Sequence, residues 1–275
     1  MPRARRFFDA AELGGQIYAP GGDLNDVALQ AVDVFDPSQG SWHTASGLSV
    51  ARRHHGVAVS SDSLWVVGGM NTFGTLLDSV ERYLPGADTW TMQTALPEPR
   101  AFLMVGVTGD QVHVLGGVDS SSPVMTASHY VYDATSSTWV PRASLPGTRG
   151  DAATATGPDG TLYLFGGRND FMSLDTVDAY DPQTDSWSNR APLPTARSHA
   201  RAVYLGGRIY VVGGLAGSSQ LDTVEIYDPS TDMWETTTPL PTARSGLGLA
   251  AQGNHIYAVG GNDGNALDLL DEGGV

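Results

Sequence analysis

Residues 208–234 read RIYVVGGLAGSSQLDTVEIYDPSTDMW. A β-rich apolar run from Ile209 to Val212 closes on Gly213-Gly214, a second run ends in Tyr227-Asp228, and Trp234 lies six residues beyond that acid. The first run is apolar on both faces, which suits a strand buried between two layers. Paired glycines let the backbone turn where a Cβ would clash. The Asp228-Pro229-Ser230 segment has hairpin chemistry, because proline fixes φ and aspartate caps its own backbone.

The same string recurs along the chain. Glycine pairs fall at Gly21-Gly22, Gly68-Gly69, Gly116-Gly117, Gly166-Gly167, Gly213-Gly214 and Gly260-Gly261, in steps of 47, 48, 50, 47 and 47 residues. Tryptophans fall at Trp42, Trp90, Trp139, Trp187 and Trp234, in steps of 48, 49, 48 and 47. Phe35-Asp36, Tyr132-Asp133 and Tyr180-Asp181 repeat the aromatic–acid step, and Leu84 keeps the same distance to Trp90. Two independent markers with one period establish an internal repeat. Each unit reads as four short strands and none shows helical periodicity, so the chain is expected to be all-β.

Composition narrows the chemistry. Of 275 residues 41% are hydrophobic and 16% charged, enough to bury a core. All 15 basic residues are arginine, against 30 acids, giving a net charge of -15. The absence of lysine excludes a Walker-type phosphate loop and Schiff-base chemistry. The absence of cysteine excludes thiolate metal sites, cysteine nucleophiles and disulfides. Negative net charge argues against nucleic acid or an anionic membrane as a partner. No apolar run of signal-peptide length follows Arg3, Arg5 and Arg6, and none approaches the roughly 18 residues of a membrane span. A soluble, cytoplasmic monomer is expected.

The glycine pair, the Tyr-Asp step and the spaced tryptophan together resemble the kelch repeat, over essentially the whole chain. The resemblance implies a β-propeller of twisted four-stranded antiparallel blades around a channel. Six repeats imply six blades, at 1–48, 49–96, 97–145, 146–193, 194–240 and 241–275. With Leu270-Asp271 at the aromatic–acid step of the last unit, its tryptophan would fall at 277. Blade six is therefore expected to lack its outermost strand, and the ring to close only by packing blade six against blade one.

Counting back 16 residues from each glycine pair, or 17 in the fourth unit, reaches Arg5, Arg52, Arg100, Arg149, Arg197 and Arg244. Kelch geometry puts this position at the channel mouth, and some kelch domains hold acidic peptides with arginines there. Arg6, Arg53 and Arg168 are expected to extend the same rim, with Ser198 and Ser245 beside it. A guanidinium ring suits bidentate contact with carboxylate or phosphate, so an anionic small molecule or acidic peptide is the expected ligand.

Function should show where repeats differ, because packing needs are shared. Two residues after the ring arginine stand Phe7, His54, Phe102, Asp151, His199 and Gly246. If these face the channel, His54, Asp151 and His199 form an acid–base trio. That makes a cofactor-free isomerase, lyase or cyclase on a small anionic substrate the alternative to a recognition module. The loops after the glycines add Asn71, Phe73, Phe171 and Met172 as ligand contacts. No calcium loop, HExxH, GxSxG or dinucleotide fingerprint occurs, and no metal or cofactor is expected.

Overall fold

The computed structural model of the chain describes every residue except Ser121, Phe171 and Val275. Among the described residues the main sheets number six, all antiparallel: five of four strands and one of three. The fifth shows the pattern, with Arg201–Leu205, Arg208–Val212, Val224–Asp228 and Met233–Thr236 in spatial and chain order. Its second strand is the apolar run of the repeat, and Ile209 faces Tyr227, which in turn faces Trp234.

The six innermost strands are Ala11–Leu13, Gly56–Ser60, Met104–Thr108, Ala153–Thr156, Arg201–Leu205 and Gly248–Gln252. Each touches the next, and the last touches the first, so the sheets form a closed ring. Every junction has its own apolar cluster. Leu13, Val34, Val57 and Val66 join sheets one and two, for example, while Phe8, Ile17, Tyr257 and Val259 join sheets one and six. The tryptophans stitch the rim. Trp90, Trp139, Trp187 and Trp234 donate from Nε1 to the carbonyls of Ser46, Thr94, Ala143 and Ala191, each in the segment leaving the preceding sheet. Asp185, two residues before Trp187, accepts from Tyr180 Oη at 2.8 Å and from the Ala143 amide at 2.9 Å.

The last sheet holds Gly248–Gln252, His255–Val259 and Leu270–Gly274, three strands among the described residues. Its register corrects the sequence reading. Ile17, Leu64, Leu162 and Ile209 face Phe35, Tyr83, Tyr180 and Tyr227, whereas the equivalent Ile256 faces Gly273. Glycine therefore stands at the aromatic place, and Leu270-Asp271 lies three residues too early to be that step. A hollow of about 430 Å³ lined by Tyr210, Val212, Ile226 and Ile256 lies between sheets five and six.

Ring closure also involves more than packing. The Arg5 amide donates to Leu267 O and Gly261 donates to Arg5 O, both at 2.9 Å, as Arg52 and Gly22 do at the next junction. The N-terminal segment thus makes the same backbone bonds to sheet six that each later segment makes to the sheet before it.

Candidate functional site: the channel end and its loops

The six repeated arginines do not line a mouth. Arg5, Arg52, Arg100, Arg149, Arg197 and Arg244 are all buried. Their guanidiniums bond groups of the fold itself, although Nε and Nη1 of Arg149 and Arg244 have no hydrogen-bond partner among the described residues. Arg52 donates to Gly68 O at 2.8 Å and Ser79 O at 3.0 Å and pairs with Glu81 at 2.6 Å. Arg197 bonds Gly213 O at 2.9 Å and pairs with Glu225 at 2.7 Å. Arg149 pairs with Asp178 at 2.5 Å, while Arg5 and Arg244 pair with Asp33 and Asp271. In sheet three Tyr130 occupies the place of these acids; Arg100 lies over its ring at 5.2 Å and turns to Glu98. Burial lowers the pKa of Arg5 to about 10 despite Asp33, the largest cause being lost hydration. Each arginine satisfies a glycine-turn carbonyl (Arg100), a third-strand acid (Arg149 and Arg244) or both (Arg5, Arg52 and Arg197), a packing role in every blade. The expectation of a six-fold anion ring is therefore corrected. Sequence reasoning missed the partner acids, although each stands 11 to 13 residues after its glycine pair (Asp33, Glu81, Asp178, Glu225, Asp271).

Two residues further on, the variable position shares one backbone geometry. Phe7, His54, Phe102, Asp151, His199 and Gly246 all have φ between 52° and 58°. Left-handed backbone is natural for glycine and strained for Phe or His, so the surroundings must enforce it. They do so through a closed cycle of backbone bonds. His54 N donates to Phe7 O, Phe102 N to His54 O, Asp151 N to Phe102 O, His199 N to Asp151 O, Gly246 N to His199 O and Phe7 N to Gly246 O, at 2.8–3.0 Å. The cycle draws six residues, one per sheet, to one place, five of them bearing side chains and the sixth Gly246. The rings of Phe7 and His54 stack at 4.4 Å, those of His54 and Phe102 lie 4.2 Å apart, and Phe7 meets His199 edge-on at 5.8 Å.

The acid–base trio does converge. Ligating atoms of His54, Asp151 and His199 lie within 4.8 Å of one another, and His199 Nε2 is 3.3 Å from Asp151 Oδ2. Burial holds His54 well below the ordinary imidazole range, with His199 and Arg53 adding to the shift. Burial likewise lowers His199, opposed by the neighbouring Asp151 carboxylate. The enclosed space beside them is only about 20 Å³, room for roughly one water. His55, outside the trio, is also buried and its pKa falls to about 3, first through lost hydration and then through Arg52.

The rim keeps three partly exposed arginines. Arg6 bonds Asp23 and Asp26 at 2.9 Å each, Arg53 pairs with Asp23 at 2.6 Å, and Arg168 Nε bonds Asp151 Oδ2 at 2.8 Å. Arg168 also covers the Phe102 ring at 5.0 Å and is one-third exposed. Ser198 and Ser245 are buried; their backbones pair with Leu215 and Asn262, and Ser198 Oγ is 3.2 Å from His199 Nδ1. Asn71 Oδ1 accepts from the amides of Phe73 and Thr75, shaping its own loop. Phe73 itself is 91% exposed and Met172 64%. Phe171 lies outside the described residues. Val27 and Val124, from the loops of sheets one and three, are exposed as well. Four loops on consecutive sheets thus each present a large apolar side chain.

Comparison with known proteins agrees with the repeat. The family profile described as "KLHDC2/KLHL20/DRC7 Kelch-repeats domain" matches residues 8–192 and 107–271. Similar curated proteins include alpha-scruin of Limulus polyphemus, 29% identical over 224 residues, covering 74% of this chain and 24% of that protein. Kelch-like protein 36 of Rattus norvegicus is 29% identical over 219 residues (76% and 35%), and Kelch-like protein 35 of Mus musculus 30% over 202 residues (73% and 26%). The chain spans about a quarter to a third of the length of these relatives.

Proposed function

Because the chain belongs to the kelch-repeat family, we propose that it is a recognition module whose protein ligand lands on the loop face at the end of the channel. The observation that carries this reading is the row of exposed apolar side chains, Val27, Phe73, Val124 and Met172, on loops of four consecutive sheets. A side chain as exposed as Phe73 contributes nothing to the fold and costs solubility, so it has a use in binding. The ligand on this reading is an acidic peptide segment with an apolar anchor. The apolar residue meets Phe73 and Met172, and its carboxylate meets Arg168, whose Nε alone is engaged by Asp151. Arg6 and Arg53 add positive charge nearby, partly neutralised by Asp23 and Asp26.

Selection of displayed random peptides on the immobilised chain tests this. Enrichment of sequences pairing Asp or Glu with an aromatic or aliphatic residue is expected, and Arg168→Gln should lose the acidic preference while keeping the apolar one. Enrichment of basic peptides, or none above background, would remove the reading.

The enzyme alternative draws on one specific observation, the convergence of His54, Asp151 and His199. Acid–base work on a substrate there requires the Phe7–His54–Phe102 stack to part, since the present space fits a water and no larger molecule.

A further inference from the structure

We propose that His54, Asp151 and His199 form a binding site for one divalent first-row transition metal ion, with a water as the fourth ligand. Imidazole and carboxylate suit Zn²⁺ and its neighbours, and three protein ligands plus water is the arrangement of an open zinc site. The geometry is close to this already. Bonds of about 2.0–2.1 Å in a tetrahedron set ligand atoms about 3.3–3.4 Å apart, and His199 Nε2 lies 3.3 Å from Asp151 Oδ2. The third ligand, on His54, is within 4.8 Å of both, so the imidazole shifts toward them to hold the ion.

The surroundings orient the same atoms. Ser198 Oγ lies 3.2 Å from His199 Nδ1, and in the tautomer where it accepts the Nδ1 proton the Nε2 lone pair faces the carboxylate. In that tautomer two lone-pair atoms face each other at 3.3 Å, an arrangement that a cation between them satisfies. Arg168 Nε holds Asp151 from outside, as outer-shell donors hold ligating carboxylates. The backbone cycle fixes all three Cα atoms in left-handed geometry, so the site is preorganised and does not depend on a flexible loop. The 20 Å³ space beside the trio has room for the bound water, and Phe7 and Phe102 wall it in.

The test is titration of the chelator-treated chain with Zn²⁺ by calorimetry and with Co²⁺ by visible absorption. One ion per chain is expected, with a tetrahedral Co²⁺ spectrum. His54→Asn, Asp151→Asn and His199→Asn should each weaken binding at least tenfold; asparagine tolerates left-handed backbone, and an unchanged melting curve verifies folding. His43→Asn and His255→Asn should change nothing. Failure to saturate at one ion, equal binding by the three asparagine variants, or loss on replacing His43 or His255 would each overturn the proposal.

Discussion

The buried pair His113–His129 makes a quantitative prediction. His129 Nδ1 lies 3.1 Å from Ala143 O, His129 Nε2 lies 2.9 Å from His113 Nδ1, and His113 Nε2 lies 2.7 Å from Thr108 Oγ1. A carbonyl only accepts, so His129 carries its proton on Nδ1, its bare Nε2 accepts from His113 Nδ1–H, and His113 Nε2 accepts from Thr108. A second proton on His129 Nε2 would set it against His113 Nδ1–H, while His113 Nε2, facing a hydroxyl that accepts as well as donates, is kept neutral by burial. Burial, first, and then neighbouring His129 and Arg142 lower His113 to about 3. Burial lowers His129 to about 4, against the Ala143 bond and Asp185. In the unfolded chain both titrate near 6.5. Between pH 6.5 and 4 the unfolded state therefore takes up protons that the native state refuses, so stability is full above pH 6.5 and falls as pH drops. At pH 5 each imidazole costs about 2 kcal/mol, from 1.5 pH units at 1.36 kcal/mol each. The assay is urea unfolding at pH 7 and pH 5. His113→Asn keeps a donor toward His129 but cannot titrate. It should be less stable than the wild type at pH 7, by about 1–3 kcal/mol, yet lose about 2 kcal/mol less on going to pH 5. Carboxylate titrations are shared by both proteins and cancel. Equal losses would refute the neutral-pair assignment.

Other consequences follow from the same structure. Arg197→Ala strands buried Glu225 and should cost about 3–5 kcal/mol in denaturant unfolding; a cost below 1 kcal/mol would return that arginine to the ligand site. At Gly116 (φ 54°) an added Cβ would sit 2.1 Å from Arg149 O, whereas at Gly207 (φ 88°) it meets open space. Gly116→Ala should therefore unfold at much lower urea than Gly207→Ala, which bears only the left-handed strain of about 1–2 kcal/mol. Trp187→Phe loses the bond to Ala143 O and should cost about 1 kcal/mol beyond the loss of packing area, read against the same change at Trp42, which makes no such bond among the described residues.

The fold was legible because its signals are local and repeated. A glycine pair, an aromatic–acid step and a tryptophan recur at one period, and in sheets three to five all three are present, with the tryptophan bonded to the segment leaving the preceding sheet. The ring arginines were legible as a pattern, yet their role was read the wrong way round. Sequence position says that Arg52 and Arg197 are equivalent; it does not say that Glu81 and Glu225 wait on the third strand to bury them. The last sheet was misregistered because Gly273 leaves no side-chain signal at the aromatic place, and Leu270 filled the gap. The convergence of His54, Asp151 and His199 was visible as a difference among equivalent positions. The cycle of six backbone bonds was not, although Gly246 at the same position hinted at left-handed geometry.

The proposed division, in which repeat-invariant residues build the ring and variable loop residues recognise the ligand, is tested directly by a matched pair of double variants. Phe73→Ser with Met172→Ser removes apolar surface from the loop face, and Met92→Ser with Met233→Ser removes comparable exposed surface from outermost strands. All four side chains are exposed, so both variants should melt within about 0.5 kcal/mol of the wild type. Affinity for the peptide enriched on the wild type should fall at least tenfold in the loop variant and stay unchanged in the strand variant. Equal affinity in the two, or loss confined to the strand variant, would contradict recognition at the loop face.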